Sequence, residues 1–182
     1  MKFIKTEIKD LIVIEPNVFG DHRGWFSESY NADVFKQNDI YIVFIQDNHS
    51  FSAQKGVLRG LHFQNNPKAQ TKLVRCTKGR IWDVAVDLRK NSPTYLKWYG
   101  IELTADNHKM LLVPKGFAHG FVTLEDNTEV QYKVDNLYDK LLDRSIKFDD
   151  PIIDIKWPVE EFIFSEKDKL APLLKDSDVN FI

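Results

Sequence analysis

The 182 residues predict an all-β protein, a sandwich or closed barrel whose few helices are short and peripheral. Short runs rich in branched and aromatic residues recur along the chain, and clusters of Pro, Gly, Asn and Asp separate them at even spacing. Only two short stretches read as helix. At 43% hydrophobic and 13% aromatic, the chain is long enough for one domain, 1–182, with a wide core.

Taken in order, residues 3–15 form an apolar run ending in LIVIEP, a predicted strand closed by Pro16 and Asn17. In FGDHRGWFSESYN, Gly20-Asp21 and Gly24 mark a turn, after which Trp25, Phe26 and Tyr30 resume an extended pattern carrying Glu28. Taken alone, Arg23 and Glu28 read as ordinary surface charges. Asn31 caps a predicted helix to Asn38, and IYIVFIQD follows as a strand. The polar run QDNHS from Gln46 reads either as a connecting loop or as groups that grip a sugar or a base.

The stretch GVLRGLHFQNNPKAQTK is where chemistry is expected. Val57, Leu58 and Leu61 read as a buried strand, yet Arg59, His62, Gln64 and Lys72 lie within or just after it, and buried polar groups are costly unless paired. KLVRCTKGRIWDVAVDLRK then reads as a hairpin turning at Lys78-Gly79, with Trp82, Val84, Val86 and Leu88 on one face and Asp83 and Asp87 on the other. Strands follow around WYGIEL, KMLLVP, GFVTLE and EVQYKV. The last forty or so residues change character: DDPIIDIKWP is predicted extended, and SEKDKLAPLLKD offers a Ser cap and a brief helix interrupted at Pro172, together a C-terminal flap on the sheet.

Charge and cysteine content narrow the function. A net charge of −2 and a pI near 6.2, with both signs scattered, argue against a general nucleic-acid or membrane surface. The single Cys76 forms no internal disulfide, and MKFIKTEIKD lacks a long apolar segment, so a reducing cytoplasm is expected.

His62, six residues after Gly56, and the Pro-x-Gly-x-x-His spacing of Pro114, Gly116 and His119 resemble the two cupin motifs. Metal-binding cupins place a second histidine where Gln64 stands here and a glutamate where Lys68, Ala69 and Gln70 stand. Transition metals favour three or more imidazole, thiolate or carboxylate donors, so His62 and His119 alone make a poor cage, and no metal is expected. His62 is then either a proton-abstracting base supported by a carboxylate or a histidine held structurally. Lys72 is either a solvated strand-end lysine or a cation for an enolate oxygen, with an expected pKa of about 10.4. Tyr132 and Tyr138, six residues apart, share a face if the chain between them stays extended; one would deliver a proton and the other stack on a planar ligand, or both are core.

VFGDHRGWFSESYN, QDNHS, GVLRGLHFQ, KLVR, DVAVDLRKNSPT, PKGFAHGF and YKV together resemble the dTDP-4-dehydrorhamnose 3,5-epimerases, with the likeness running from IKTEI to SEKDKLAPLL. The resemblance implies a cupin-type jelly-roll β-sandwich that is homodimeric, needs no metal or other cofactor, and inverts C3 and C5 of a dTDP-linked 4-keto-6-deoxyhexose on the route to dTDP-L-rhamnose. It implies His62 as base, Asp168 as the carboxylate supporting it, Tyr132 as proton donor and Lys72 as the enolate-stabilising cation. It further implies substrate contacts from Arg23, Glu28, Asp47, Asn48, Arg59, His119, Asp143 and Lys167, with Tyr138 stacking on the thymine. The chain departs from the family pattern at His22, Thr71 and Asp143, where Glu, Gly and Glu are common. Strict alternation would put Arg59 and His62 on opposite faces, so either a bulge near Gly60 or a contribution to a partner's site is expected. Two rival readings stand at this stage: a 3-epimerase of a related keto-sugar nucleotide, disfavoured by Tyr132, and a non-catalytic sugar-nucleotide-binding cupin, disfavoured by His62, Tyr132 and Asp168 occurring together.

Overall fold

A computed structural model describes residues 1–182. Its strands are β1 (Lys2–Lys5), β2 (Ile12–Glu15), β3 (Val18–Asp21), β4 (Gly24–Ser27), β5 (Gln46–Ser52), β6 (Leu58–Gln64), β7 (Lys72–Lys78), β8 (Arg80–Asp87), β9 (Trp98–Thr104), β10 (Met110–Val113), β11 (Phe117–Thr123), β12 (Thr128–Val134) and β13 (Asp143–Ser145). Two short helices, α1 (Ala32–Lys36) and α2 (Glu166–Lys169), complete the regular structure, with one 3-10 turn at Leu174–Asp176. A six-stranded sheet in the order β1-β2-β10-β7-β12-β5 faces a five-stranded sheet in the order β13-β6-β11-β8-β9, and β3-β4 stands apart as a two-stranded ribbon. This is the expected all-β sandwich. No helix is long and apolar enough to cross a membrane.

Alternation along the strands explains three apolar layers. Between the sheets, 13 buried residues, among them Val74, Cys76, Ala85, Phe117, Phe121 and Val130, form the central core. The outer face of the five-stranded sheet presents Leu61, Phe63, Val84, Val86 and Leu88, and the C-terminal segment covers it with Ile153, Ile155 and Phe181. The outer face of the six-stranded sheet packs Leu73, Met110 and Leu112 against Phe35 of α1. Asn31 caps α1 as predicted, its Oδ1 accepting from the backbone of Asp33 and Val34.

Four local expectations are corrected. Residues 3–15 make two antiparallel strands rather than one, because the Thr6 hydroxyl binds the Ile8 and Leu11 carbonyls and Asp10 turns the chain at φ 71°. The strand predicted at IYIVFIQD begins only at Gln46. Ile40–Ile45 keeps an alternating pattern but has no ladder partner, whereas QDNHSFS pairs with β12 along its whole length. Lys78-Gly79 does not close a paired hairpin, since β7 and β8 belong to different sheets and the chain crosses the sandwich there. A Cβ at Gly79 would lie 2.5 Å from Thr128 Oγ1, which fixes glycine at this corner. DDPIIDIKWP is bent rather than extended, because the buried Asp150 carboxylate accepts from the amides of Ile152 at 2.9 Å and Leu174 at 2.7 Å.

Candidate active site

One cleft of about 390 Å³ opens between the two sheets and gathers Arg59, His62, Lys72, His119, Tyr132 and Asp168. The five-stranded sheet supplies Arg59 and His62 from β6 and His119 from β11, while the six-stranded sheet supplies Lys72 from β7 and Tyr132 from β12. Asp168 enters from α2. The imidazole of His62 and the phenol of Tyr132 therefore stand on opposite walls.

Getting Arg59 onto the same wall as His62 requires breaking the two-residue period. His119 pairs with His62 and Phe121 with Arg59, so β6 holds one residue more than β11 between these pairs. That is the expected bulge. Gly60 adopts φ +147°, and a Cβ there would sit 2.5 Å from the Gly120 Cα, so only glycine serves. Arg59 then bridges toward β5, donating from Nη2 to the Phe51 carbonyl at 3.0 Å.

His62 Nε2 lies 2.5 Å from Asp168 Oδ1. An ionised carboxylate only accepts, so Nε2 carries the proton and Nδ1 is the nitrogen left free for a ligand. Burial lowers the His62 pKa below its ordinary value, while the hydrogen bond and charge of Asp168 oppose that shift without cancelling it. Burial pushes the Asp168 carboxyl up, but the His62 hydrogen bond and charge, with a hydrogen bond from Ser165, together leave it below the usual carboxylate value. Burial likewise raises Tyr132, which keeps its phenol protonated. Lys72 Nζ lies 6.0 Å from the centre of the Tyr132 ring. Its expected ordinary pKa is corrected: burial pulls the ammonium down to about 8, against the opposing charges of Asp83 and Asp143.

His119 is buried and its Nε2 lies 2.8 Å from Oδ1 of Asp83, which is fully buried. Asp83 was not singled out for chemistry. Its signal was available in DVAVD, where alternation turns it to the inner face and a buried carboxylate requires a donor. Gln64, at the second cupin-histidine position, is also committed: its Nε2 donates to the Lys68 and Leu137 carbonyls and its Oε1 accepts from the Asp139 amide at 2.7 Å. No group of three or more His, Cys, Asp or Glu side chains is placed to hold a metal ion.

The remaining predicted residues divide. Asp143 sits on β13 beside Gln64, accepting from Lys167 Nζ at 2.5 Å and from the Tyr138 hydroxyl at 3.2 Å, so these three form one linked group. Tyr138 lies beyond the end of β12 and is exposed, so it does not share a strand face with Tyr132, contrary to the extended-chain expectation. Asn48 pairs with Tyr132 across the ladder, but Asp47 points to the outer face, where it accepts from Lys133 at 2.8 Å. Arg23 and Glu28 lie outside the cleft of their own chain. Arg23 is bound to Asp21 on the β3-β4 ribbon, and Glu28 is exposed and accepts from Asn31.

Known proteins resemble the chain in both sequence and fold. The family model described as dTDP-4-dehydrorhamnose 3,5-epimerase matches residues 5–176. The dTDP-4-dehydrorhamnose 3,5-epimerase of Shigella flexneri is 51% identical over 179 residues, covering 98% of each chain. A Bacillus anthracis dTDP-4-dehydrorhamnose 3,5-epimerase structure with TDP and PPi bound is similar at TM-score 0.93 and 53% identity, covering 95% of this chain and 99% of that one. A Legionella pneumophila dTDP-6-deoxy-D-glucose-3,5-epimerase in complex with dTDP-4-keto-L-rhamnose is similar at TM-score 0.93 and 43% identity, covering 97% of this chain and 94% of that one. With nearly the whole length matched in sequence and in fold, the chain belongs to the dTDP-4-dehydrorhamnose 3,5-epimerase family.

Proposed function

We propose that the protein inverts C3 and C5 of dTDP-4-dehydro-6-deoxy-D-glucose to give dTDP-4-dehydro-L-rhamnose, working as one unit over its 182 residues. The observation that carries this reading is the division of the cleft, with the His62–Asp168 pair on one side and Tyr132 with Lys72 on the facing sheet. The C4 ketone of such a sugar acidifies the hydrogens on both neighbouring carbons, because either carbanion delocalises as an enolate. One base can therefore serve both centres. His62 Nδ1 removes each proton while Asp168 stabilises the imidazolium that forms. Lys72 and His119 hold the enolate oxygen, and the Tyr132 phenol returns a proton from the opposite face. Nothing in this sequence of steps draws on a metal or a redox cofactor. Arg59 and Lys167 suit the diphosphate, and Tyr138 offers an exposed ring for the base.

The β3-β4 ribbon supports a homodimer. Phe19, Trp25 and Phe26 are each more than 60% exposed, an apolar cluster on a small two-stranded ribbon that needs a covering surface. We place that surface on a second copy, whose cleft would receive Arg23 and Glu28. Buried, unpaired Cys76 fits a reducing cytoplasm.

The test is incubation with the keto-sugar nucleotide in heavy water, locating deuterium by mass and configuration by NMR coupling. Wild type should label and invert both carbons. His62→Ala should do neither, whereas Tyr132→Phe should exchange at C3 with retained configuration, because protonated His62 returns a proton to the face it came from. Inversion at C3 alone would make the enzyme a monoepimerase. Exchange by His62→Ala would remove the base from its role.

A further inference from the structure

We propose that Ser165 is a positioning residue for the base, its hydroxyl fixing the Asp168 carboxylate in the one orientation that holds His62. The inference rests on the reading of His62 and Asp168 given above. Asp168 Oδ1 takes the His62 Nε2 contact, and Asp168 Oδ2 accepts from Ser165 Oγ at 2.8 Å. The same Oγ accepts from the Asp168 amide at 3.2 Å, so both bonding directions of the hydroxyl are spent on this one residue. Ser165 lines the cleft with its proton already committed, which suits an orienting group rather than a reader of substrate.

Physical need for such a group follows from the shortness of α2. Four helical residues, Glu166–Lys169, supply little rigidity of their own. Asp168 is only 4% exposed, so water is poorly placed to satisfy Oδ2 if the hydroxyl is removed. An unsatisfied, buried carboxylate oxygen would rotate toward solvent and carry Oδ1 off the imidazole. Neighbouring Lys167 does not substitute, because its ammonium is bound to Asp143. The charged and titratable groups around His62 are Asp168 and Lys167 of α2, Lys72 of β7, Arg59 of β6, His119 of β11 and Tyr132 of β12, and a change at Ser165 alters none of them.

Ser165→Ala, Ser165→Gly and Ser165→Thr separate orientation from helix capping, since glycine is tolerated at a cap but has no hydroxyl. Expected for Ala and Gly is a fall in kcat of roughly 10- to 100-fold with KM nearly unchanged. The acid limb of the kcat/KM profile should move to lower pH, because a misplaced carboxylate no longer opposes the effect of burial on His62. Thr should restore both. Wild-type kcat and an unmoved acid limb in Ser165→Ala would overturn the proposal, as would full activity in Gly or a Thr variant as impaired as Ala. His62→Ala, measured alongside for solvent exchange, distinguishes the two failures: an inert His62→Ala with a normal Ser165→Ala sinks only the role of Ser165, while an exchanging His62→Ala sinks the underlying mechanism.

Discussion

Replacing Lys72 with methionine should stabilise the fold and cripple the enzyme together. Burial brings the Lys72 ammonium from 10.5 to about 8, which means that the folded protein holds this charge less readily than the unfolded chain does. At about 1.4 kcal/mol per tenfold in proton affinity, the charged lysine costs the folded state about 3 kcal/mol at neutral pH. The sign follows from proton binding. Between pH 8 and 10.5 the unfolded chain carries the proton and the folded protein does not, so this cost is complete below pH 8 and disappears as pH rises through that window. Lys72→Met keeps the length of the side chain without the charge. At pH 7 it should be more stable than wild type by up to about 3 kcal/mol, a rise in Tm of roughly 6–12 °C for a chain of this size. Its kcat should fall by roughly 100- to 1000-fold, the usual cost of removing a group that stabilises an oxyanion. Denaturant titrations of both proteins at pH 7, 9 and 10.5 would follow the stability gap, which should close toward the highest pH. A variant no more stable than wild type at pH 7, or a gap that stays constant with pH, would refute the reasoning.

Further outcomes follow from the same geometry. Wild-type activity should decline above about pH 8 as Lys72 loses its proton, with roughly a tenth of the lysine still charged at pH 9; a pH–rate profile checks this. Gly60→Ala forces a Cβ to within 2.5 Å of the Gly120 Cα, so it should destabilise by several kcal/mol in denaturant titration and separate Arg59 from His62, lowering kcat. Cys76, buried and pushed up to about 11, should react with thiol reagents only upon unfolding, which timed alkylation would show. Dialysis against a chelator should leave kcat unchanged, and loss of activity restored by a divalent ion would contradict the reaction scheme. Co-expressed His62→Ala and Arg23→Ala chains should recover activity neither shows alone, because one site of each mixed dimer would receive both intact groups.

Much of this organisation was legible in the residues. Branched and aromatic runs punctuated by Gly, Pro and Asn locate β9 through β12, and alternation in β8 correctly divides Trp82 and Val84 from Asp83 and Asp87. The conflict between that period and a shared site for Arg59 and His62 pointed either to a bulge near Gly60 or to a partner's site, and the bulge is what forms. What failed depended on partners distant in sequence. Whether Ile40–Ile45 or Gln46–Ser52 forms the ladder is decided by β12, some eighty residues away, while the branched, apolar run is locally the more strand-like of the two. Whether the chain at Gly79 returns along its own sheet or crosses to the other leaves no local mark. The pKa of Lys72 is set by its burial and by Asp83 and Asp143, which lie on other strands, so the reference value was the only one that composition could supply.

Because His62 rises from one sheet and Tyr132 from the other, the roles proposed for them would make the thickness of the sandwich a gauge for the sugar ring. Packed sheets stand about 10 Å apart, and here the interdigitating side chains of Val74, Ala85, Phe117, Phe121 and Val130 hold that gap open. A methylene gained or lost in this layer would change the span between His62 and Tyr132, and Tyr132 itself packs against the layer. Under that mechanism, substitutions in the core would act on stereochemistry as well as on folding: a sandwich that closed too far would pinch the ring, and one that opened would leave the enolate to be reprotonated from whichever wall remained in reach.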